Sequence, residues 1–238
     1  MKGPLFYSKI LLFGEYGIIQ DSKGLSIPYN FYNGALKKED HPSPEAIASN
    51  GHLKRFVTYL ESLQTEQPDL VQFDIATLQK DVNEGMYFDS SIPQGYGVGS
   101  SGALVAAIYD KYAQHKITVL ENLTREKLLE LKTIFSQMES FFHGKSSGLD
   151  PLNSYLSIPI LINSKDNIEA TGIPTQSFDG KGAVFLLDSG IVGETAPMVN
   201  IFMENLKDQG FRTMLKSQFV KHTDACVENF LVGDIKAL

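Results

Sequence analysis

Hydrophobic and polar positions along the chain follow a helical period in some stretches and strand-like runs in others. Between residues 44 and 64, Leu53, Phe56, Val57, Leu60 and Leu63 recur at three- and four-residue steps. That spacing predicts an amphipathic helix, with Asn50-Gly51 as a break near its start. Residues 124–143 carry a second stripe of Leu128, Leu131, Phe135, Met138 and Phe142, which Gly144 is placed to end, with Glu139 at its edge. Residues 103–108 are apolar on every side, as in a buried helix. Strand-like runs are expected at residues 8–13, 85–88, 155–163 and 183–188, the last as a short buried strand. Residues 146–151 read as a turn, and residues 196–209 and 211–231 as two closing helices. Strands and helices mix without strict βα alternation, which predicts an α+β fold with a boundary in the region 171–182.

Composition narrows the class. The 238 residues leave room for one large or two modest domains, and 42% hydrophobic against 21% charged residues is the balance of a chain with a packed core. A net charge of −7 and a pI near 5.2 argue against binding a phosphate backbone, so nucleic acid is not an expected partner. The apolar start around residues 10–13 is too short for a signal peptide or a membrane span, and the expected location is cytoplasmic, with no membrane partner. The single cysteine, Cys226, has no intramolecular disulfide partner. Its helical spacing to Phe219, His222 and Phe230 predicts a buried structural thiol.

The segment Pro93-Gln94-Gly95-Tyr96-Gly97-Val98-Gly99-Ser100-Ser101-Gly102 carries the most chemistry. Closely spaced glycines let backbone N–H groups approach an anion, and the helix that follows adds its positive end, so phosphate binding is physically motivated. The competing reading is a tight glycine turn with no ligand. Gly97, Gly99 and Gly102 also satisfy the dinucleotide pattern G-x-G-x-x-G, with Glu121 near the spacing of a ribose-binding acid. Against it, Ser90, Ser91 and Pro93 separate the loop from the strand that should feed it directly. A P-loop is excluded, because Ala103 stands where G-x-x-x-x-G-K-[ST] requires lysine. Taken alone, Asp150 before Pro151 reads as a turn residue, Glu139 as a solvated helix position, and Lys9 as a charge at a strand end.

Together these segments resemble the GHMP kinases. The glycine loop is similar to their second motif, P-x-G-x-G-L-G-S-S-A-A, and Lys9-Ile10-Leu11-Leu12-Phe13-Gly14-Glu15-Tyr16 to the first, a lysine shortly before L-x-G-E-[HY]. Glu139, His143-Gly144 and Ser147-Gly148-Leu149-Asp150 look like the pattern of the mevalonate kinase branch. The resemblance implies transfer of the ATP γ-phosphoryl group to a small-molecule hydroxyl, with mevalonate or a related alcohol as acceptor. A sugar kinase of the same superfamily and a non-catalytic nucleotide or metabolite sensor are the alternatives. It further implies ATP and Mg²⁺ as cofactors, and it leaves room for a homodimer.

By the same resemblance, Asp150 accepts the substrate proton beside Lys9, and Ser101 and Glu139 hold Mg²⁺, with Ser100 next in line. Gly95, Gly97, Gly99, Ser100, Ser101 and Gly102 cradle the nucleotide, while Glu15, Tyr16 and Thr195 face the substrate. His143 reads as a helix-end cap, a catalytic role being the lesser alternative, and Lys145 could reach phosphate or substrate, although the family pattern does not demand lysine there. The implied architecture is a ribosomal protein S5 domain 2-like N-terminal domain, residues 1–175, followed by an incomplete ferredoxin-like C-terminal domain, residues 176–238. Two departures bear on it. Gly193 stands where mevalonate kinases commonly carry an arginine two residues before the threonine, and no third glycine-rich motif follows Asp150. The expectation is therefore a fragment or a truncated product.

Overall fold

The computed structural model describes residues 3–118, 123–174, 185–188, 190–193 and 195–238. Its contacts group into two compact units. The first comprises Met1–Ile10, Pro28–Pro93 and Val98–Ser157, and the second Leu11–Ile27, Gln94–Gly97 and Ile158–Leu238. The sequence boundary between residues 175 and 176 lies outside the described residues.

Strands β1 (Phe6–Phe13) and β2 (Gly24–Lys37) each contribute residues to both units. In the first unit the later half of β2 pairs antiparallel with β3 (Tyr87–Ser90), Gly34 opposite Ser90 and Lys37 opposite Tyr87. Helix α1 (Pro44–Glu66) is capped by Ser43, whose hydroxyl accepts the Ala46 N–H, and it buries Leu53, Phe56, Val57, Leu60 and Leu63. It runs unbroken through Asn50-Gly51. The Asn50 amide donates to the Val82 and Met86 carbonyls at 2.8 and 2.7 Å, so it is spent on tertiary contacts rather than on a local turn. Helices α2 (Ile75–Asn83), α3 (Ser100–Tyr112), α4 (Arg125–His143) and α5 (Leu149–Leu156) complete the unit. Where α3, α4 and α5 meet, the rings of Tyr109, Phe135 and Tyr155 pack edge to face with centroids 5.0, 5.2 and 5.6 Å apart.

Helix α5 replaces the second half of the turn expected over residues 146–151, whose first half is the irregular connection before it, and the start of the strand expected over 155–163. Pro151 lies in its first turn, where the missing N–H has no helical partner to lose. Tyr155 and Leu156 are helical, and the strand begins only at Ile160.

In the second unit the start of β2 pairs antiparallel with β4 (Ile160–Ser164), which turns back into β5 (Asn167–Ala170). Helices α6 (Thr195–Asn205), α7 (Gln209–Met214) and α8 (Lys221–Val232) follow, with a π-helical turn at Leu215–Val220 between the last two. Leu25, Leu161 and Val227 form one core cluster, joined by an edge contact of Phe13 on Phe230, and Phe202, Leu206 and Leu215 form another. The buried strand expected at residues 183–188 is not found at 185–188. Phe185 and Leu187 are 85% and 91% exposed there, and residues 183 and 184 lie outside the described residues. A short apolar run carries no period from which burial can be read. Cys226 is half-buried rather than buried, and it lines a cavity of about 380 Å³ with Phe13, Phe219 and His222. Among the described residues no helix is long and apolar enough to cross a membrane.

The mixture of helices with antiparallel strand pairs agrees with the expected α+β class.

Candidate active site

Lys9 sits in the middle of β1, on the face opposite its buried neighbour Ser8, and only 7% of it is exposed. A buried ammonium needs a partner, and Lys9 Nζ lies 3.0 Å from Asp150 Oδ1. Asp150 is in the first turn of α5, where the helix dipole favours a negative charge. The backbone reinforces this meeting. The Lys9 N–H donates to the Val98 carbonyl at 3.0 Å, which ties β1 to the end of the glycine loop.

The loop then opens into α3 through Gly99, whose φ of 82° places it in the left-handed region. No side chain caps this helix, so the N–H groups of Ser100, Ser101 and Gly102 begin it without a side-chain acceptor. Such an end is suited to an anion. Gly102 is required by proximity: a methyl group on it would come within 2.7 Å of the Asp150 carbonyl carbon and 2.8 Å of Pro151 N. The starts of α3 and α5 therefore touch through backbone, and Gly99 lies beside the ion pair.

A second polar group borders the first. Glu139, on the last turns of α4, is 4% exposed, which corrects its reading as a solvated position at the edge of the helix stripe. Hydroxyls make the burial tolerable. Ser101 Oγ donates to Glu139 Oε1 at 2.9 Å, and Ser146 Oγ donates to Oε2. Burial first, and the negative charge of Asp150 second, push Glu139 up to about 7 from the ordinary carboxylate range, against the lowering effects of the two serines and Lys9. His143 Nε2 lies 3.0 Å from Ser101 Oγ, so it turns toward the serine rather than only toward the helix-end carbonyls.

The structure thus brings together Lys9, Val98, Gly99, Ser100, Ser101, Gly102, Glu139 and Asp150, all in the first unit. Ser146 was not singled out by the sequence. It is a small polar residue between two motifs, and only the carboxylate above it reveals its role. Lys145 is exposed on the turn after α4.

Other expected site residues belong to the second unit. Gly95 and Gly97 both have positive φ, and the Gly95 carbonyl accepts the Gly193 N–H at 3.0 Å. Glu15 is exposed, and Tyr16 holds a φ of 57° with its ring 5.3 Å from Phe202. Thr195 begins α6, and its side chain lies outside the described residues, as does Glu194.

Comparison with known proteins bears on the domain type and the fold. Residues 62–157 match the family described as GHMP kinases N terminal domain, a stretch that contains Ser101, Glu139 and Asp150. A search of curated proteins found no match. Among solved structures the chain is similar to a mevalonate kinase of L. major in complex with R-mevalonate, at 18% identity and a TM-score of 0.56. That alignment covers 100% of this chain and 74% of the other. A mevalonate kinase of Methanococcus jannaschii aligns at 14% identity and a TM-score of 0.51, covering 97% and 73% of the two chains. A further mevalonate kinase structure gives 14% identity and 0.51, covering 95% and 72%. At these identities the structural likeness is one of fold. Residues 62–157, which carry Ser101, Glu139 and Asp150, thus match the GHMP kinase N-terminal domain, and the chain shares the fold of these mevalonate kinase structures.

Proposed function

We propose that the chain is a Mg²⁺-dependent kinase that transfers the γ-phosphoryl group of ATP to the hydroxyl of a small molecule, mevalonate being the first acceptor to test. The observation that carries this reading is the Lys9–Asp150 ion pair, set against the uncapped start of α3. In it, Asp150 takes the proton of the acceptor hydroxyl as that oxygen bonds to the γ-phosphorus, and the bond to the β-phosphate oxygen breaks to release ADP. Lys9 positions the carboxylate and balances charge on the transferring group. The backbone N–H groups of Ser100, Ser101 and Gly102 hold phosphate oxygens.

The residues present fit Mg²⁺. Glu139 and Ser101 offer hard oxygen donors, and a buried carboxylate satisfied only by hydroxyls is a place where a cation restores favourable charge. When bound there, Mg²⁺ neutralises phosphate charge. Glu15, Tyr16 and Thr195 are proposed as substrate-side residues, and Gly95 and Gly97 as part of the nucleotide loop. The proposed finer architecture is an S5 domain 2-like domain over residues 1–175 and a ferredoxin-like remainder over 176–238. Gly193, in place of the arginine common in mevalonate kinases, makes a sugar the second acceptor class to test.

Release of ADP is to be followed with Mg²⁺, ATP and a panel of mevalonate, phosphomevalonate, homoserine and galactose. Turnover with one acceptor should fall by about 10²–10⁴-fold in Asp150→Asn while ATP binding persists. Absence of ATP binding in the unaltered protein would remove the kinase reading, and ATP binding without turnover would favour a sensor.

A further inference from the structure

Between α4 and α5 the chain makes a short connection, residues 144–148, that is fastened to α4 at several points. The Ser136 hydroxyl donates to the Ser146 carbonyl at 2.6 Å. Ser146 Oγ in turn donates to Glu139 Oε2 and accepts the Gly148 N–H at 3.0 Å. Gly148 lies so close to α4 that a methyl group on it would overlap the Lys132 carbonyl oxygen. It is also the cap residue of α5, the helix that carries Asp150 in its first turn.

The geometry points to Ser146 as a positioning residue for two groups at once. Its hydroxyl fixes the rotation of the Glu139 carboxylate from the side opposite Ser101, and the same oxygen fixes the backbone from which Asp150 projects. A hydroxyl both donates and accepts, so it alone among small side chains of this size can satisfy a carboxylate and an N–H together. Removing it leaves Oε2 and the Gly148 N–H without this partner and frees the carboxylate to rotate about its last torsion, which is broad and weakly preferred. This inference rests on the reading of Glu139 and Ser101 as the Mg²⁺ side of the site, and Ser146 itself touches neither substrate nor metal in it.

The test is calorimetric titration of the whole chain with MgATP and, separately, with ATP in EDTA, for the unaltered protein, Ser146→Ala and Ser146→Thr. Loss of a group that orients a metal ligand typically weakens metal affinity by about 10–100-fold. Ser146→Ala should therefore weaken MgATP binding by about that factor and leave metal-free ATP binding unchanged. Ser146→Thr keeps the hydroxyl and should bind MgATP much as the unaltered protein does, which holds the test open should the alanine variant fold poorly. Equal weakening of metal-free and Mg²⁺-loaded ATP would show a merely structural role and overturn the inference, as would MgATP binding by Ser146→Ala equal to the unaltered protein. Failure of the unaltered protein to bind MgATP would instead overturn the kinase reading, and this inference with it.

Discussion

Gly148 provides a quantitative test of how the site is held. Its φ is +74°, and a methyl group there would overlap the Lys132 carbonyl oxygen and lie 2.7 Å from Ser136 N. Gly148→Ala therefore meets two penalties. An L-residue in the left-handed region costs about 1–2 kcal/mol, and forcing a methyl into closed backbone packing costs about 1–3 kcal/mol. Their sum, about 2–5 kcal/mol, corresponds to a fall in Tm of about 4–20 °C at about 2–4 °C per kcal/mol for a chain of this size. Gly144 is the control. It also has a positive φ, +69°, but nothing lies within 4 Å of an added methyl group. Gly144→Ala should lose only the conformational part, about 1–2 kcal/mol. Thermal and urea denaturation of both variants separates the two penalties. If Gly148→Ala is no less stable than Gly144→Ala, the close approach of α4 and α5 is not what Gly148 serves, and the argument that it sets the position of Asp150 fails.

Glu139 predicts a pH dependence. Its pKa is raised in the fold from the ordinary 4.5 to about 7, so between those values the folded state holds a proton that the unfolded state has released. Stability should fall as pH rises from about 4.5 to about 7 and level off above, measured as Tm in EDTA, and Glu139→Gln should flatten that slope. A slope identical in both proteins would refute the assignment of burial as its cause. Phe135, fully buried between Tyr109 and Tyr155, should cost about 3–5 kcal/mol on replacement by alanine, read from the urea midpoint. A loss below about 1 kcal/mol would show that those rings close over the gap.

Helices with long, regular stripes were legible in the sequence. The core positions of α1 and α4 follow directly from their spacing, and Thr124 and Gly144 mark the ends of α4. Strand β2 was not. Asn30, Asn33 and Gly34 interrupt its alternation, and its burial runs in blocks rather than residue by residue, so period two never develops. Helix α2 has nine residues and buries only Leu78 and Val82, too few positions to define a stripe. Helix α5 was hidden by Gly148 and Pro151, which punctuate turns elsewhere but here serve as cap and first turn. At the site, residue order pointed to Lys9, Ser101, Glu139 and Asp150. The contact of His143 with Ser101 and the double hydrogen bonding of Ser146 depend on how α4, α3 and the connection fold onto one another, which no local pattern records.

Strand β1 is held to the far end of the first unit by the Ser154 hydroxyl, which donates to the Tyr7 carbonyl across 147 positions of sequence, and by the Lys9–Asp150 pair beside it. Contacts of such span close late, because the entropy of a long loop must be overcome before they contribute. Strand β1 therefore waits for almost the entire unit before its buried lysine finds a carboxylate. Until α5 docks, that lysine has every reason to stay in water, and the strand around it has a polar residue on its core face. The Lys9–Asp150 pairing should consequently appear in one late step of folding, together with α5, rather than grow in proportion to helix content.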